Sequence, residues 1–215
     1  MKVLVLGASG QVGSVLTEAA LERGHIVVGV TRSSSSRILE KLGGQLVNGD
    51  AYDAEFLTGI INSFKPDVVV SATRPSKGRE AELVRGTLSV ASVCAEKGVW
   101  LVVSGGAGAL PVSDEPNAER VVDSGYVEDA WRDIARASAD QFDALVDIFP
   151  RGRWTYVAPP SRLVEGERVG RVRKSNTALV SNEQGVSELT WLDYAGLILE
   201  EVEKPSGERL VTGGY

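Results

Sequence analysis

Short apolar runs alternate with longer amphipathic stretches along most of this chain. Residues 3–6 form an unbroken apolar run, which is typical of a parallel strand covered on both faces. Apolar residues then recur at helical spacing from Val12 to Ala20, and the pattern ends near Arg23-Gly24. Similar runs predict strands at 25–30, 45–50, 67–71, 99–103 and 153–157, with helices at 36–42, 53–64, 80–97 and 126–148.

This alternation predicts an α/β Rossmann fold, doubly wound, with a mainly parallel sheet in the strand order 3-2-1-4-5-6. The length of 215 residues suits one NAD(P)-binding domain over residues 1–215. After residue 161 the pattern changes, and residues 168–173 and 178–180 predict a small antiparallel excursion. We expect residues 159–190 to form part of a small C-terminal cap on the substrate side.

The end of the chain carries two further signals. The sequence from Thr190 to Asp193 resembles a capping box that begins the last helix, which runs to about residue 203. Residues 209–212 then predict a short closing strand.

Three glycines follow the first strand in the order G-x-x-G-x-x-G. Gly7 allows a tight turn, Gly10 lets the backbone approach a pyrophosphate, and Gly13 lets the helix pack closely on the sheet. The N–H groups at the start of that helix suit an anion. The predicted pyrophosphate site consists of Gly7, Ser9, Gly10, Gln11, Val12 and Gly13. The alternative is a tight βα turn that binds no dinucleotide, as in flavodoxin-like proteins.

The residues after the second strand indicate which dinucleotide binds. An NAD-binding unit carries an acidic residue near this point, but residues 31–37 contain no carboxylate. Arg32 offers a planar fork suited to a phosphate, and Arg37 covers the adenine or adds charge. We therefore assign Thr31, Arg32 and Arg37 to the cofactor site and predict NADP(H) rather than NAD(H). The alternative is a polar surface loop with incidental arginines.

Other candidate residues follow later strands. Asp50 lies where it can contact the adenine amino group or cap the next helix. Ligands of doubly wound sheets lie at the carboxyl edge of the strands, and the residues expected to line the rest of the cofactor path there are Ser71, Ala72, Thr73, Ser104 and Pro159. Ser104 is also the candidate catalytic hydroxyl. Arg74, Lys77 and Arg79 face an anionic substrate or the pyrophosphate, or belong to a solvated loop.

The region between residues 105 and 156 suggests a substrate pocket. The glycines of residues 105–108 are expected to admit a ligand close to the backbone. The polar loop of residues 111–119 is long enough to act as a lid, or is simply mobile. The aromatic residues that either line a flat pocket or belong to the core are Tyr126, Trp131, Trp154 and Tyr156.

Composition narrows the class of partner. The net charge is −6 with no basic stripe, so a nucleic-acid partner is not expected. No segment predicts a membrane span or a signal peptide, which indicates a cytoplasmic protein acting on a small molecule. Cys94 and His25 are the only residues of their types, so no metal site or intrachain disulfide is expected. Cys94 fits a buried helical position and His25 a solvated strand start; the sequence specifies no oligomeric state.

Several segments of the sequence resemble one family. The residues at 7–13, 101–110, 154–159 and 192–195 are similar to those of atypical short-chain dehydrogenase/reductases, in particular the NmrA-like and NADH-flavin-reductase-like group related to biliverdin reductase B. The resemblance is spread over almost the entire chain. It implies NAD(P)H binding on a Rossmann fold and, in some members, reduction of flavins, quinones or similar rings.

The chain departs from ordinary short-chain dehydrogenases in one respect. Those enzymes use a Tyr-x-x-x-Lys pair for proton exchange. Here the residues four positions after Tyr52, Tyr126, Tyr156 and Tyr194 are Phe56, Ala130, Pro160 and Ile198. The usual alcohol oxidation and sugar epimerisation are therefore disfavoured.

The sequence therefore predicts an NADPH-dependent oxidoreductase that transfers hydride to a small aromatic, flavin- or quinone-like acceptor. Such a transfer needs little from the protein, because the cofactor carries the chemistry and water can supply the proton. One alternative is a non-catalytic NADP(H)-binding redox sensor of the NmrA type. Another is an isomerase or lyase on the same fold.

Overall fold

The computed structural model describes residues 1–32, 43–150 and 152–215. The predicted helix at 36–42, and Arg37 with it, lie outside the described residues. The described strands are β1 (Lys2–Leu6), β2 (Ile26–Thr31), β3 (Gln45–Asn48), β4 (Val68–Ser71), β5 (Trp100–Ser104), β6 (Trp154–Ala158), β7 (Arg162–Val164), β8 (Arg173–Ser175), β9 (Glu188–Thr190) and β10 (Leu210–Gly214). The described α-helices are α1 (Gln11–Glu22), α2 (Ala54–Phe64), α3 (Glu82–Lys97), α4 (Arg132–Ile148) and α5 (Trp191–Glu203).

The main sheet has the order β3-β2-β1-β4-β5-β6-β10-β8. Strands β1 to β6 are parallel, which confirms the predicted Rossmann fold and strand order. The closing strand β10 is also parallel to β6, and β8 pairs antiparallel with β10 at the edge. Strands β7 and β9 form a separate two-stranded parallel sheet. Because β1 and β4 are neighbours, their carboxyl ends lie side by side at the point where the strand order reverses.

The core consists of two apolar layers, one on each face of the sheet. Leu4 and Leu6 pack with residues of α2, α3 and α4 on one face. Val3 and Val5 pack with residues of α1 and α5 on the other. This double coverage explains why β1 is apolar throughout. Cys94 is buried in the first layer, as predicted, and burial raises the pKa of its thiol to about 12.

The first residues of α5 and α4 show where a local sequence pattern does and does not predict the start of a helix. The last helix begins as predicted, because the Thr190 hydroxyl accepts a hydrogen bond from the Asp193 N–H at 3.1 Å. The helix predicted from residue 126 instead begins at Arg132, after a short 3₁₀ turn at Asp129–Trp131. The residues before that turn do not join the helix, because a tertiary hydrogen bond from the Tyr126 hydroxyl to the Gly185 carbonyl holds them in a loop.

Two other expectations are corrected. The antiparallel excursion consists of Arg173–Ser175 alone; residues 178–180 are buried but form no strand, and the Leu179 N–H bonds to the Pro111 carbonyl. His25 is not solvated. Its side chain is 9% exposed, and its Nε2 lies 2.9 Å from the Glu203 carboxylate, because the end of α5 covers the start of β2. Over the described residues, none of the helices is both long and apolar enough to cross a membrane.

Candidate cofactor and substrate site

The glycine turn between β1 and α1 is shaped by contacts within the chain. Gly7 has φ +81°, and a Cβ there would lie 2.6 Å from the Ala72 carbonyl oxygen at the exit of β4. A Cβ on Gly13 would lie 2.1 Å from the Gly7 carbonyl oxygen. The Gly10 N–H donates to that same oxygen at 2.9 Å. The turn therefore brings the N-terminus of α1 against the exits of β1 and β4, as expected from the sequence.

The N-terminus of α1 is suited to an anion. Among the described residues no side chain caps α1, as is also true of α3 and α4, whereas Asp53 and Thr190 cap α2 and α5. The first turn of α1 contains no acidic residue. Its N–H groups and the positive end of its dipole thus remain available to a phosphate.

A cavity of about 320 Å³ lies in front of this turn. It is bordered by the glycine turn, the ends of β2 and β4, the β3–α2 connection and the first residue of α5. The predicted residues that line it are Gly7, Ser9, Gly10, Gln11, Val12, Thr31, Arg32, Asp50, Ala72 and Thr73. Gly13 and Ser71 lie outside this lining. Ser71 is buried, and its hydroxyl is 3.1 Å from that of Thr73.

Hydrogen bonds within the chain fix most of the polar side chains that line this cavity. Thr31 ends β2 and its hydroxyl bonds to Ser9, while the exposed Arg32 follows it at the rim. Asp50 accepts from the Tyr52 N–H at 3.0 Å and does not cap the next helix, since Asp53 does so. The Tyr52 hydroxyl donates to Thr73 at 3.1 Å, and burial raises the pKa of this phenol. These bonds tie the β3–α2 connection to the exit of β4.

A second cavity, of about 560 Å³, continues from the first along the carboxyl edge of the sheet. Its apolar lining includes Leu83, Val127, Ile134, Pro159, Pro160, Leu163 and Val164. Charged side chains at its wall are Arg74, Glu128 and Arg162. Both cavities are lined by Gln11, Val12, Ala72, Thr73, Arg74 and Trp191, so they form one continuous cleft. Its volume and apolar walls are those of a small-molecule site.

Trp191 was not assigned to the site from the sequence. It is the first residue of α5, half-buried, and it lines both cavities. The Thr190 N-cap fixes where α5 begins, but only the packing of α5 against the sheet brings this position to the cleft. An indole directly after an N-cap is the sole sequence signal, and it is a weak one.

Ser104 lies at the exit of β5 in the second cavity. Its Oγ is 2.9 Å from the hydroxyl of Tyr194, which donates to the Val157 carbonyl at 2.8 Å. Either hydroxyl can donate in this pair, so the two hydroxyls and the Val157 carbonyl form a short hydrogen-bonded chain. Burial also raises the pKa of Tyr194, which keeps this phenol protonated. Ser104 is therefore held at the second cavity by a hydrogen bond to a protonated phenol.

The glycines of residues 105–108 line the second cavity and also serve packing, and the expectation that they admit a ligand stays a prediction. A Cβ on Gly105 would lie 1.8 Å from the Tyr156 ring, and one on Gly108 would lie 2.1 Å from the Ala135 carbonyl oxygen. On the side where a Cβ would point, the space is filled by β6 and α4, while the backbone borders the cavity. Trp154 and Tyr156 belong to the core, whereas Tyr126 and Trp131 line the second cavity.

The predicted lid is not part of the cleft. Within the described chain, none of residues 111–119 lines either cavity. Pro111 pairs with Arg120, and the Arg120 guanidinium makes two hydrogen bonds to Asp143 at 2.7 and 2.8 Å. The segment that follows supplies the wall of the second cavity, from Val121 to Trp131. The polar composition predicted a loop at residues 111–119 and gave no sign of the cavity wall that follows it.

Comparison with known proteins agrees with the Rossmann fold and the glycine turn described above. Residues 3–129, more than half of the chain, match the NAD dependent epimerase/dehydratase family. The chain is 29% identical over 210 residues to "Uncharacterized protein YwnB" of Bacillus subtilis, covering 95% of this chain and 93% of that protein.

Two solved structures cover nearly the whole chain. A "putative NADH-flavin reductase" from Streptococcus pneumoniae matches with TM-score 0.85 and 25% identity, over 100% of this chain and 99% of that one. ChuY, named an anaerobillin reductase, from Escherichia coli O157:H7, matches with TM-score 0.74 and 18% identity over 99% and 96%, which shows the fold alone. The family match includes the glycine turn and the exits of β1, β4 and β5. The chain therefore belongs to the NAD dependent epimerase/dehydratase family and is, as its motifs predicted, similar to the atypical short-chain dehydrogenase/reductases with an NAD(P)-binding Rossmann fold.

Proposed function

We propose that this protein is a cytoplasmic NADPH-dependent oxidoreductase that transfers hydride to a small aromatic, flavin- or quinone-like acceptor. The observation that carries the proposal is the continuous cleft, which has an anion-binding helix terminus in one part and an apolar, tryptophan-lined cavity in the other. The name of the Streptococcus pneumoniae protein, an NADH-flavin reductase, supports the same class of acceptor.

In this proposal the cofactor extends along both cavities. The pyrophosphate lies at residues 7–12, with Gly13 maintaining the turn, and Arg32, beside Thr31, binds the 2′-phosphate. Arg37 keeps the role that the sequence predicts, covering the adenine or adding charge. Asp50 faces the adenine. Ala72, Thr73, Ser104 and Pro159 line the path to the nicotinamide, while Ser71 holds Thr73 in place. The residues fit such a ligand, because the uncapped end of α1 and the guanidinium of Arg32 border one cavity.

The bound dinucleotide supplies the hydride. The contribution of the chain is to orient the two rings face to face and to exclude water from the apolar cavity. We propose that the reduced acceptor takes its proton from water. In this proposal Ser104 donates to Tyr194 and Tyr194 donates to the Val157 carbonyl, so neither proton is available to the acceptor, and the Tyr126 hydroxyl donates to Gly185.

We also propose that residues 159–190 act as the substrate-side part of the single domain. Residues 159–164 line the second cavity, and β7 is held by its parallel pairing with β9. This pairing places Leu163 and Val164 beside the expected acceptor.

The test is NADPH oxidation with a panel of acceptors: FMN, riboflavin, menadione and a simple benzoquinone. We expect turnover with at least one of them and none when the acceptor is left out beyond the slow reaction with oxygen. Tight NADPH binding with no oxidation by any acceptor would favour the redox sensor. Conversion of a substrate without net change in nicotinamide absorbance would indicate an isomerase or lyase.

A further inference from the structure

Arg74 lies on an aromatic ring at the junction of the two cavities. Its guanidinium carbon is 5.1 Å from the centre of the Trp131 ring. Arg74 follows β4, whereas Trp131 precedes α4, so the contact joins two separate walls of the cleft. A guanidinium stacked in this way keeps its edge N–H groups free to bind a carboxylate or phosphate.

The guanidinium N–H groups of Arg74 donate no hydrogen bond to the residues that the structure describes. No carboxylate of residues 1–32, 43–150 or 152–215 lies within 4.0 Å of its guanidinium, whereas the neighbouring Arg79 is paired with Glu82. Glu80 is close enough for Arg74 to lower the pKa of its carboxyl, but that shift comes first from its hydrogen bond with the Gly78 N–H. An exposed arginine held by a ring and lacking an anion is arranged for an external one.

The surroundings determine what kind of molecule could bring this anion. The cavity beside Arg74 is mostly apolar and contains two cations, Arg74 and Arg162, against one carboxylate, Glu128. This local excess of positive charge occurs in a chain whose net charge is −6. Arg162 approaches Glu188 only at 4.0 Å. The combination suits a ligand that is flat and apolar in one part and acidic in another.

We propose that Arg74 is a specificity-determining residue for the acceptor, which is a planar ring system carrying a carboxylate or phosphate. The proposal rests on the function proposed above. The ring occupies the apolar part of the second cavity, and the acid group binds the edge of the guanidinium that Trp131 holds. Because Arg74 also lines the first cavity, the cofactor pyrophosphate is the other possible source of the anion, and the test separates the two.

The experiment compares FMN with riboflavin, which share one ring system and differ by a phosphate. A menadione analogue with a ring-attached carboxylate and menadione itself form the corresponding quinone pair. We expect kcat/KM to be about tenfold higher for the acidic member in each pair, as one charge-assisted hydrogen bond predicts. In Arg74→Met, which keeps the aliphatic packing, this ratio falls to about one, chiefly through a higher KM for the acidic acceptor.

Lys77→Met is the matched control, since Lys77 is exposed nearby and lines neither cavity. It should leave the ratio unchanged. Equal kcat/KM values for both members of each pair in the unmodified protein would overturn the proposal, and so would a ratio that Arg74→Met does not change. If Arg74→Met weakens NADP⁺ binding by the same factor as FMN binding, Arg74 belongs to the cofactor site.

Failure of the proposed oxidoreductase function can be distinguished from failure of the proposed role of Arg74. If no acceptor is reduced, calorimetry of FMN and riboflavin binding to the NADP⁺-loaded protein still decides the role of Arg74. A tenfold preference for FMN that is lost in Arg74→Met supports the anion site without turnover. Equal affinities for the two flavins overturn it.

Discussion

At the scale of single residues, Arg32 decides the proposed preference for NADPH. It is exposed at the rim of the first cavity, directly after the buried Thr31 that ends β2. We expect Arg32→Ala to weaken NADPH binding by roughly 1.5–3 kcal/mol, the value of a charge-assisted hydrogen bond, and to affect NADH by less than a third of that. Calorimetric titration of both nucleotides measures this. The control, Arg85→Ala, removes an exposed arginine outside both cavities. Equal losses for NADPH and NADH would contradict the 2′-phosphate assignment.

Substitution of Ser104 tests whether a side chain of the protein supplies the proton to the reduced acceptor. In the proposed arrangement the Ser104 hydroxyl donates to Tyr194, so it has no proton to give to the acceptor. We expect Ser104→Ala to lower kcat by less than about tenfold, whereas loss of a general acid costs roughly 100- to 10,000-fold. Steady-state kinetics with the best acceptor, at several pH values, would measure the effect. A loss of a thousandfold that also removes a pH dependence would assign catalysis to this hydroxyl.

The residues that the sequence identified and those it missed differ in one physical respect. Gly7 and Gly13 are recognisable because their roles depend on backbone within one βα unit, plus the strand beside it. For Arg74 the sequence leaves an anionic substrate, the pyrophosphate and a solvated loop as alternatives, since its contact with Trp131 joins segments more than fifty positions apart. Trp191 was missed for the same reason: a helix docked late in the chain brings it to the cleft.

At the scale of elements, the start of α1 and the middle of α2 provide a matched pair of glycines. A Cβ on Gly13 would meet the Gly7 carbonyl oxygen at 2.1 Å, whereas one on the exposed Gly59 would meet nothing within 4 Å. We expect Gly13→Ala to lower the free energy of unfolding by about 1–3 kcal/mol, as overpacking does, and to weaken NADPH binding. Gly59→Ala should raise it by up to about 1 kcal/mol through helix propensity. Urea unfolding compares them; equal stability of both variants would refute the packing role of Gly13.

Asp193 connects the start of α5 to two other segments. Its carboxylate accepts from the Tyr215 hydroxyl at 2.6 Å, the Val169 N–H at 2.8 Å and the Gly170 N–H at 3.1 Å. Burial alone would raise the pKa of this carboxyl, but these hydrogen bonds outweigh burial and hold its pKa below the usual value.

The lowered pKa of Asp193 gives a prediction about acid stability. The stabilisation is present above the unfolded pKa, about 3.9, and is lost as pH falls through the lower folded value. We expect Asp193→Asn to cost about 1–3 kcal/mol of unfolding free energy at neutral pH. The deficit relative to the unmodified protein should shrink below about pH 4. Urea unfolding at several pH values measures this, and a deficit that stays constant down to pH 2 would rule out the carboxylate as its source.

The ends of a strand are predictable from the sequence where both of its faces are buried, and less predictable elsewhere. Strands covered on both faces, such as β1 and β4, are apolar throughout, so their positions follow from the sequence within about a residue. The segment before α4 was misassigned as helix because its fixed points are tertiary, such as the bond from Tyr126 to Gly185. Likewise, residues 178–180 are apolar because they are buried, although they form no strand.

At the scale of the whole molecule, the strand order places every part of the proposed site on one edge. The exits of β1, β2 and β4 border the first cavity, and those of β5 and β6 border the second. This order was predictable, because strand–helix alternation and right-handed crossovers leave few topologies. The sequence could not give the size of the second cavity or the single cleft that joins the two, which result from how α4 and α5 pack on the sheet.

The central claim is that the glycine turn and Arg32 bind a nicotinamide dinucleotide phosphate. Calorimetric titration of the purified, full-length protein with NADPH and with NADH tests it most directly. The account predicts one binding site per chain for NADPH and an affinity at least tenfold weaker for NADH, as one charge-assisted hydrogen bond requires. Absence of heat with either nucleotide at millimolar concentration would contradict the account, whatever acceptors are tried.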